Sequence, residues 1–287
     1  MEWPNQASFA CVLTIDVDGD LPLLAEDSAN LDREKTRSAG LYGPEHGAPR
    51  LLRMLTAEGF GAHWFFPGEM ARRYPGLVAE VVAAGHGVGV HGNRHIDFSR
   101  IGLDEQIAEM TDGRDTVASA AGVQPTGFRI PAAEWAQGFP EAMSGAGFRW
   151  SSSLPSDDMP FFLTGSGLVE IPFRYELEDQ QYLGYNLDPP FPPGQSRITP
   201  LSLVEANWMH EVAGAQRFGT LLHLRLNAEV MGFPGRVVML RRFLTGLRDR
   251  GDVWFASMDE LCAWQSAQEP DPAHPYALFT GLVEERI

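Results

Sequence analysis

The chain has 287 residues, 44% of them hydrophobic, which is enough for a large buried core and for either two ordinary domains or one barrel-sized domain. Its 38 acidic against 22 basic residues give a formal net charge of −16, which argues against nucleic acid and against an anionic membrane surface as partners. No apolar run approaches the roughly 20 residues that cross a bilayer, and the opening MEWPNQASFA lacks the basic start and apolar core of a secretion signal, so the expected location is cytoplasmic.

Strand-length apolar runs alternate with segments of helical period along the whole chain. Strands are expected at ASFACVLTID (7–16), GAHWFF (61–66), HGVGVH (86–91), TGFRI (126–130), FRWSSS (148–153), GLVEIPF (167–173), GTLLHLRL (219–226) and DVWFAS (252–257). Helical patterns fall between or after them, over 48–59, 76–85, 103–122, 202–216, 235–251 and 258–268. Gly59, Gly85, Gly122 and Gly251 stand where helices should end and strands begin, as C-terminal caps do. That order predicts parallel strands linked by crossovers within a single domain spanning 1–287. Two segments break the rhythm, 19–48 and the Pro- and aromatic-rich 174–200, and both are expected as insertions near the mouth of a β/α barrel. Cys11 and Cys262 fall in a core strand and a terminal helix, so no disulfide is expected.

The chemistry-bearing residues cluster at strand ends. Asp16 and Asp18 follow the first apolar strand, and their period-two spacing turns both side chains to one face. In HGVGVHGNRH, His91 and His95 can present two nitrogens to one ion, while His63 and His86 read as core or loop residues. Two histidines and one carboxylate leave coordination positions open, a set suited to hydrolysis, with the second carboxylate able to take a proton from water. In GFRIPAAEW, Arg129 can orient a carboxylate and keep it ionised, and His223 in GTLLHLRL can protonate a leaving amine. Asp20, beyond Gly19, reads as the start of the loop. Trp135, Phe161, Phe162, Tyr182 and Tyr185 offer an apolar wall for a substrate.

Taken in order, TIDVDGD, HGNRH, GFRIP, SSLPSDDMPF and LLHLR resemble the motifs of the polysaccharide deacetylase superfamily, the NodB-like or carbohydrate esterase family 4 proteins. The likeness covers about residues 8–265 and is strongest to the branch that holds peptidoglycan deacetylase-like proteins and cofactor-independent allantoinases. It implies an α/β fold, a distorted (β/α) barrel of the NodB deacetylase type. It further implies Asp16 as catalytic base, Asp18, His91 and His95 as ligands of a divalent metal, Arg129 as the residue orienting the base, and His223 as general acid. Asp158 or Asp157 would match the acid that supports His223, with Asp179 a further alternative. Zinc is the implied ion, with cobalt, nickel or manganese as the other choices, and a homodimer or homotetramer is the implied assembly.

The sequence also departs from that pattern. Asp-x-Asp replaces an adjacent acid pair, His63 and Trp64 stand where Thr is usual, the aromatic Asp-Trp ending of the fourth motif is absent, and Leu224 and Arg225 follow His223 in place of Pro. The expected function is therefore metal-dependent hydrolysis of a non-peptide C–N bond, as N-deacylation of a small soluble amide or amino-sugar-like molecule. Ring opening of a cyclic amide, imide or ureide, and deacetylation of peptidoglycan or another polysaccharide, are the enzymatic alternatives. A catalytically inactive, ligand-binding barrel is the non-enzymatic one. A glycosidase is disfavoured, because acids two residues apart on one strand are too close to flank a sugar bond.

Overall fold

The structure is a computed structural model that describes residues 2–184 and 198–268. Its sheet is built from β1 (Phe9–Asp16), β2 (His63–Phe66), β3 (Gly87–Val90), β4 (Gly127–Phe128), β5 (Trp150–Ser151), β6 (Phe161–Phe162), β7 (Val169–Glu170), β8 (Leu221–Asn227) and β9 (Val253–Phe255). The order across the sheet is β6-β7-β5-β4-β3-β2-β1-β8, with β9 also on β1. Every described pairing is parallel except β6 with β7. The sheet curls into a half-barrel, an α/β arrangement of the kind the motif likeness implied. All eight expected strands form, and the short antiparallel β6 inside the MPFF run is an addition.

β1 shows why these residues make a central strand. Its apolar residues are buried on both faces, as in parallel sheets covered by helices. Phe9, Cys11, Leu13, Ile15 and Val17 pack outward against the surrounding helices, whereas Ala10 and Val12 join Phe65, Trp150 and Ile171 inside the curl. Period two therefore carries Thr14, Asp16 and Asp18 onto the interior face. The helix Met258–Ser266, opened by a capping box at Ser257 and Glu260, supplies Met258, Leu261 and Cys262 to the interior cluster around Ala10 and Val12, at the end away from those acids. Both cysteines are buried and free, and burial pushes the Cys11 thiol up to about 12.

The expected helices form at Ala48–Glu58, Pro75–Ala83, Leu103–Ala121, Leu201–Phe218, Pro234–Arg250 and Met258–Ser266. Gly59, Gly85, Gly122 and Gly251 take positive φ at their ends, as capping required. The 19–48 insertion is not a plain loop. It holds the helices Leu21–Glu26 and Glu34–Tyr42 and is tied down by Asp20, which is fully buried and receives Arg37 at 2.9 Å and Arg73 at 2.6 Å. Asp20 is thus a structural anchor rather than a loop residue, because a buried carboxylate persists only when paired. The second insertion, 174–200, is described through Gly184 and again from Ile198; Tyr185 lies outside the described residues.

Candidate active site

The parallel register brings the strand ends together. Asp16 stands level with Phe65 of β2 and Asn227 of β8, and the ladder continues one step beyond β2, β3 and β4. There His91 donates its backbone N–H to Phe66 O at 3.0 Å, and Arg129 donates to Val90 O at 2.9 Å. Asp18, His91 and His95, far apart in sequence, consequently meet: one ligand atom from each lies within 4.8 Å of the others.

This trio fits a metal ion. The imidazoles of His91 and His95 approach Asp18 at 3.6 and 3.7 Å through Nε2, too long for hydrogen bonds. Two atoms held about 2.0–2.2 Å from one tetrahedral ion sit about 3.4 Å apart, close to those spacings. His91 Nδ1 lies 2.9 Å from Arg129 O, which fixes the N–H there and leaves Nε2 with its lone pair. Burial holds both imidazoles neutral, His91 down to about 3 and His95 down to about 4. Asp18 Oδ1 is buried with no hydrogen-bond partner among the described residues. Burial, then the neighbouring Asp16 and Glu229 carboxylates, push Asp18 well above the usual carboxylate range, the mark of an acid placed for a cation.

Asp16 has the opposite environment. Arg129 Nη1 donates to Oδ1 at 2.5 Å, and Arg225 Nε donates to Oδ2 at 3.2 Å. Burial alone would raise its pKa, but these two guanidiniums hold it far below the usual range. Arg129 is fixed in turn by Ser152 O at 2.9 Å, Ser152 Oγ at 3.0 Å and Thr14 Oγ1 at 3.1 Å, with Phe65 beneath it. Arg225 also meets Glu178 at 3.5 Å, so Arg129, Asp16, Arg225 and Glu178 form a chain of alternating charge that sums to zero. Asp18 makes no ion pair with either arginine among the described residues, and their charges offset the burial and the neighbouring carboxylates only in part.

Like Asp16, which is wholly buried, His223 is not among the residues that line the cleft. It sits level with Val12, two residues below Arg225 on the same face of β8, and is 1% exposed. Its Nδ1 contacts Pro172 O at 2.8 Å, and Nε2 lies 3.1 Å from Thr14 Oγ1 and 3.4 Å from Arg129. Burial and then Arg129 hold it down to about 3, a neutral imidazole in the barrel interior. Asp158 lines a shallow surface recess with His223, but its exposed carboxylate pairs with Arg174 at 3.4 Å. The support expected for His223 from Asp158 is therefore supplied by the Pro172 carbonyl. His63 and His86 are buried away from the trio, as expected.

The cleft above the trio has a volume of about 1310 Å³, and Asp18, His91, His95, Arg225, Glu178 and Glu229 line its floor. Tyr42 and Phe233, stacked at 4.2 Å, are its aromatic wall among the described residues. Trp135, Phe161, Phe162 and Tyr182 pack instead against their own barrel. The sequence reading missed Glu178 and Glu229, and it took Arg225 only as a departure from the family pattern and Asp179 only as an alternative support for His223. Alternation along β8 was the available signal, since His223, Arg225 and Asn227 share a face. Asp179 accepts from Asn227 N and Nδ2, and Glu229 accepts from Gly19 N at 2.6 Å. Burial pushes Asp179 up to about 7 and Glu229 up to about 8.

Comparison with known proteins bears on this arrangement. A polysaccharide deacetylase family model matches residues 42–151, which include His91, His95 and Arg129. A solved polysaccharide deacetylase homologue from Mycobacterium smegmatis superposes with a TM-score of 0.89 at 32% identity, over 95% of each chain. The chain belongs to the polysaccharide deacetylase family. Within the family it is 28% identical over 144 residues to a peptidoglycan deacetylase of Helicobacter pylori, a match covering 50% of this chain and 49% of the relative. The chain thus spans about half the length of the curated relatives it matches. An allantoinase structure shares the fold at TM-score 0.78 and 18% identity, over 94% of each chain.

Proposed function

We propose that this family member is a metal-dependent hydrolase that cleaves the C–N bond of a small amide by N-deacylation. The observation that carries the reading is the pairing of two unlike acids on one face of β1. Asp18 is only partly compensated beside two neutral imidazoles, and Asp16 is ionised between two arginines.

Asp18, His91 and His95 would hold the ion, and this nitrogen and oxygen donor set suits zinc, with cobalt, nickel or manganese as substitutes. A divalent ion there supplies the positive charge that acidifies water and polarises the amide carbonyl. Asp16 accepts the water proton. It then passes that proton to the departing nitrogen, which is far more basic than a carboxylate. Arg129 and Arg225 keep the carboxylate oriented through both half-reactions, so that Asp16 serves first as proton acceptor and then as donor. Asp18, His91 and His95 are at most 9% exposed, and the 19–48 segment and residues around 178–184 wall the cleft, which supports a compact substrate over a long polymer.

Zinc-loaded protein assayed against acetylated amines, formamides, imides and ureides tests the reading. Release of an acid and an amine supports deacylation. A single ring-opened product moves the assignment to a cyclic amide, and no turnover on any of them refutes it.

A further inference from the structure

The metal trio depends on a loop whose shape is unfavourable on its own. Residues 91–95 carry two ligands, yet Gly92 has φ +71° and His95 has φ +58°, a left-handed conformation that a non-glycine residue adopts only when its surroundings impose it. The loop is gripped from two sides. Its carbonyls at Gly92 and Asn93 accept from the backbone N–H groups of Gly68 at 3.0 Å and Glu69 at 2.9 Å, at the start of the helix Gly68–Arg73. Its amides face the helix Leu103–Ala121. There Glu109, 3% exposed, accepts from Asn93 N at 3.1 Å and Arg94 N at 2.8 Å through Oε2, and from Arg94 Nε at 2.6 Å through Oε1. Gly113, four residues on and on the same helix face, lets the helix approach so closely that a Cβ there would lie 2.3 Å from Gly92 O.

We propose that Glu109 is a positioning residue for the metal ligands, holding the 92–94 backbone so that His91 and His95 converge on Asp18. This rests on the metal-site reading given above. A carboxylate that accepts from two consecutive backbone N–H groups between two ligands fixes the ligand spacing before any ion arrives, and preorganised ligands bind more tightly than ligands that must be gathered. Without it the two amides lose their acceptor, and the left-handed His95 follows a segment that is no longer clamped.

The test is metal affinity of the full chain, measured by chelator competition with Zn²⁺ and by the visible spectrum of bound Co²⁺. Glu109→Ala should weaken binding on the order of tenfold to hundredfold and alter the Co²⁺ spectrum. Glu109→Gln, which keeps an oxygen for the two backbone amides, should restore most of the affinity. Arg94→Ala, which removes only the side-chain partner, should bind as wild type does. Glu109→Met fills the same volume without accepting a bond and serves if the alanine variant does not fold. Wild-type affinity and an unchanged Co²⁺ spectrum in folded Glu109→Ala or Glu109→Met overturn the proposal, even if their melting temperature falls. Failure of wild-type protein to bind either ion overturns the metal site itself, and Glu109's role with it.

Discussion

The alternating charges around Asp16 make a quantitative expectation about stability. Arg129→Met removes a guanidinium that is 1% exposed and leaves the wholly buried Asp16 with Arg225 alone, so the Arg225, Asp16 and Glu178 group carries one net negative charge. Asp16→Asn leaves the converse, two guanidiniums against Glu178. Breaking a buried pair by deleting one partner costs about 3–5 kcal/mol, so the two single variants together would cost about 6–10 kcal/mol if independent. The double variant leaves only the Arg225–Glu178 pair, neutral again, and should cost no more than either single variant. The expected coupling is therefore about 3 kcal/mol or more, well outside the roughly 0.5 kcal/mol within which independent sites add. Urea unfolding of the four proteins followed by tryptophan fluorescence at pH 7 measures it. Asp16 has a depressed folded pKa, so its contribution is fully present above the ordinary carboxylate value of about 4 and is lost only as pH falls below that, which makes pH 7 the correct condition. Additive costs would refute the charge-chain reasoning.

Two further outcomes follow from the same geometry. Glu170, buried in β7 and accepting from Ser153 N and Leu154 N, is pushed by burial up to about 7 from 4.5. A raised folded pKa means its contribution is complete below about pH 4.5 and declines as pH rises through 7, by up to about 3 kcal/mol; urea midpoints of Glu170→Gln should fall less than those of wild type between pH 5 and 7.5, and identical falls would count against this. His223→Gln should retain turnover within about tenfold because Asp16 is the residue proposed to carry the proton in both directions, whereas Asp16→Asn should keep metal and lose turnover by more than a hundredfold; steady-state rates with measured metal content decide between these, and the reverse ranking would return the proton-donor role to His223.

Much of the fold was legible because parallel strands buried on both faces write continuous apolar runs, as in CVLTI and TLLHL, and because glycine ends the helices before them. β6 was not legible, since two residues in a Pro-rich run carry no period. The ligand trio was legible as one aspartate and two histidines near strand ends, and the register explains why they meet. What the sequence could not convey was depth. His223 and Arg225 lie on the same face of β8, and only the ladder, which sets His223 level with Val12 and Arg225 level with Thr14, decides which of them borders the cleft. Nor could it reveal the partners of isolated acids: Asp20 reads as loop in sequence yet is buried between Arg37 and Arg73, and Asp158 reads as a motif acid yet pairs with Arg174 at the surface.

The most direct measurement is the rate of amide hydrolysis as zinc is returned to chelator-stripped protein, for wild type and for Asp18→Ala in parallel. The expected result is a wild-type rate that climbs from background and saturates near one ion per chain, while Asp18→Ala stays at background throughout. Full activity of the stripped wild-type protein, or an equal zinc response in Asp18→Ala, would contradict a metal-dependent centre built on Asp18, His91 and His95.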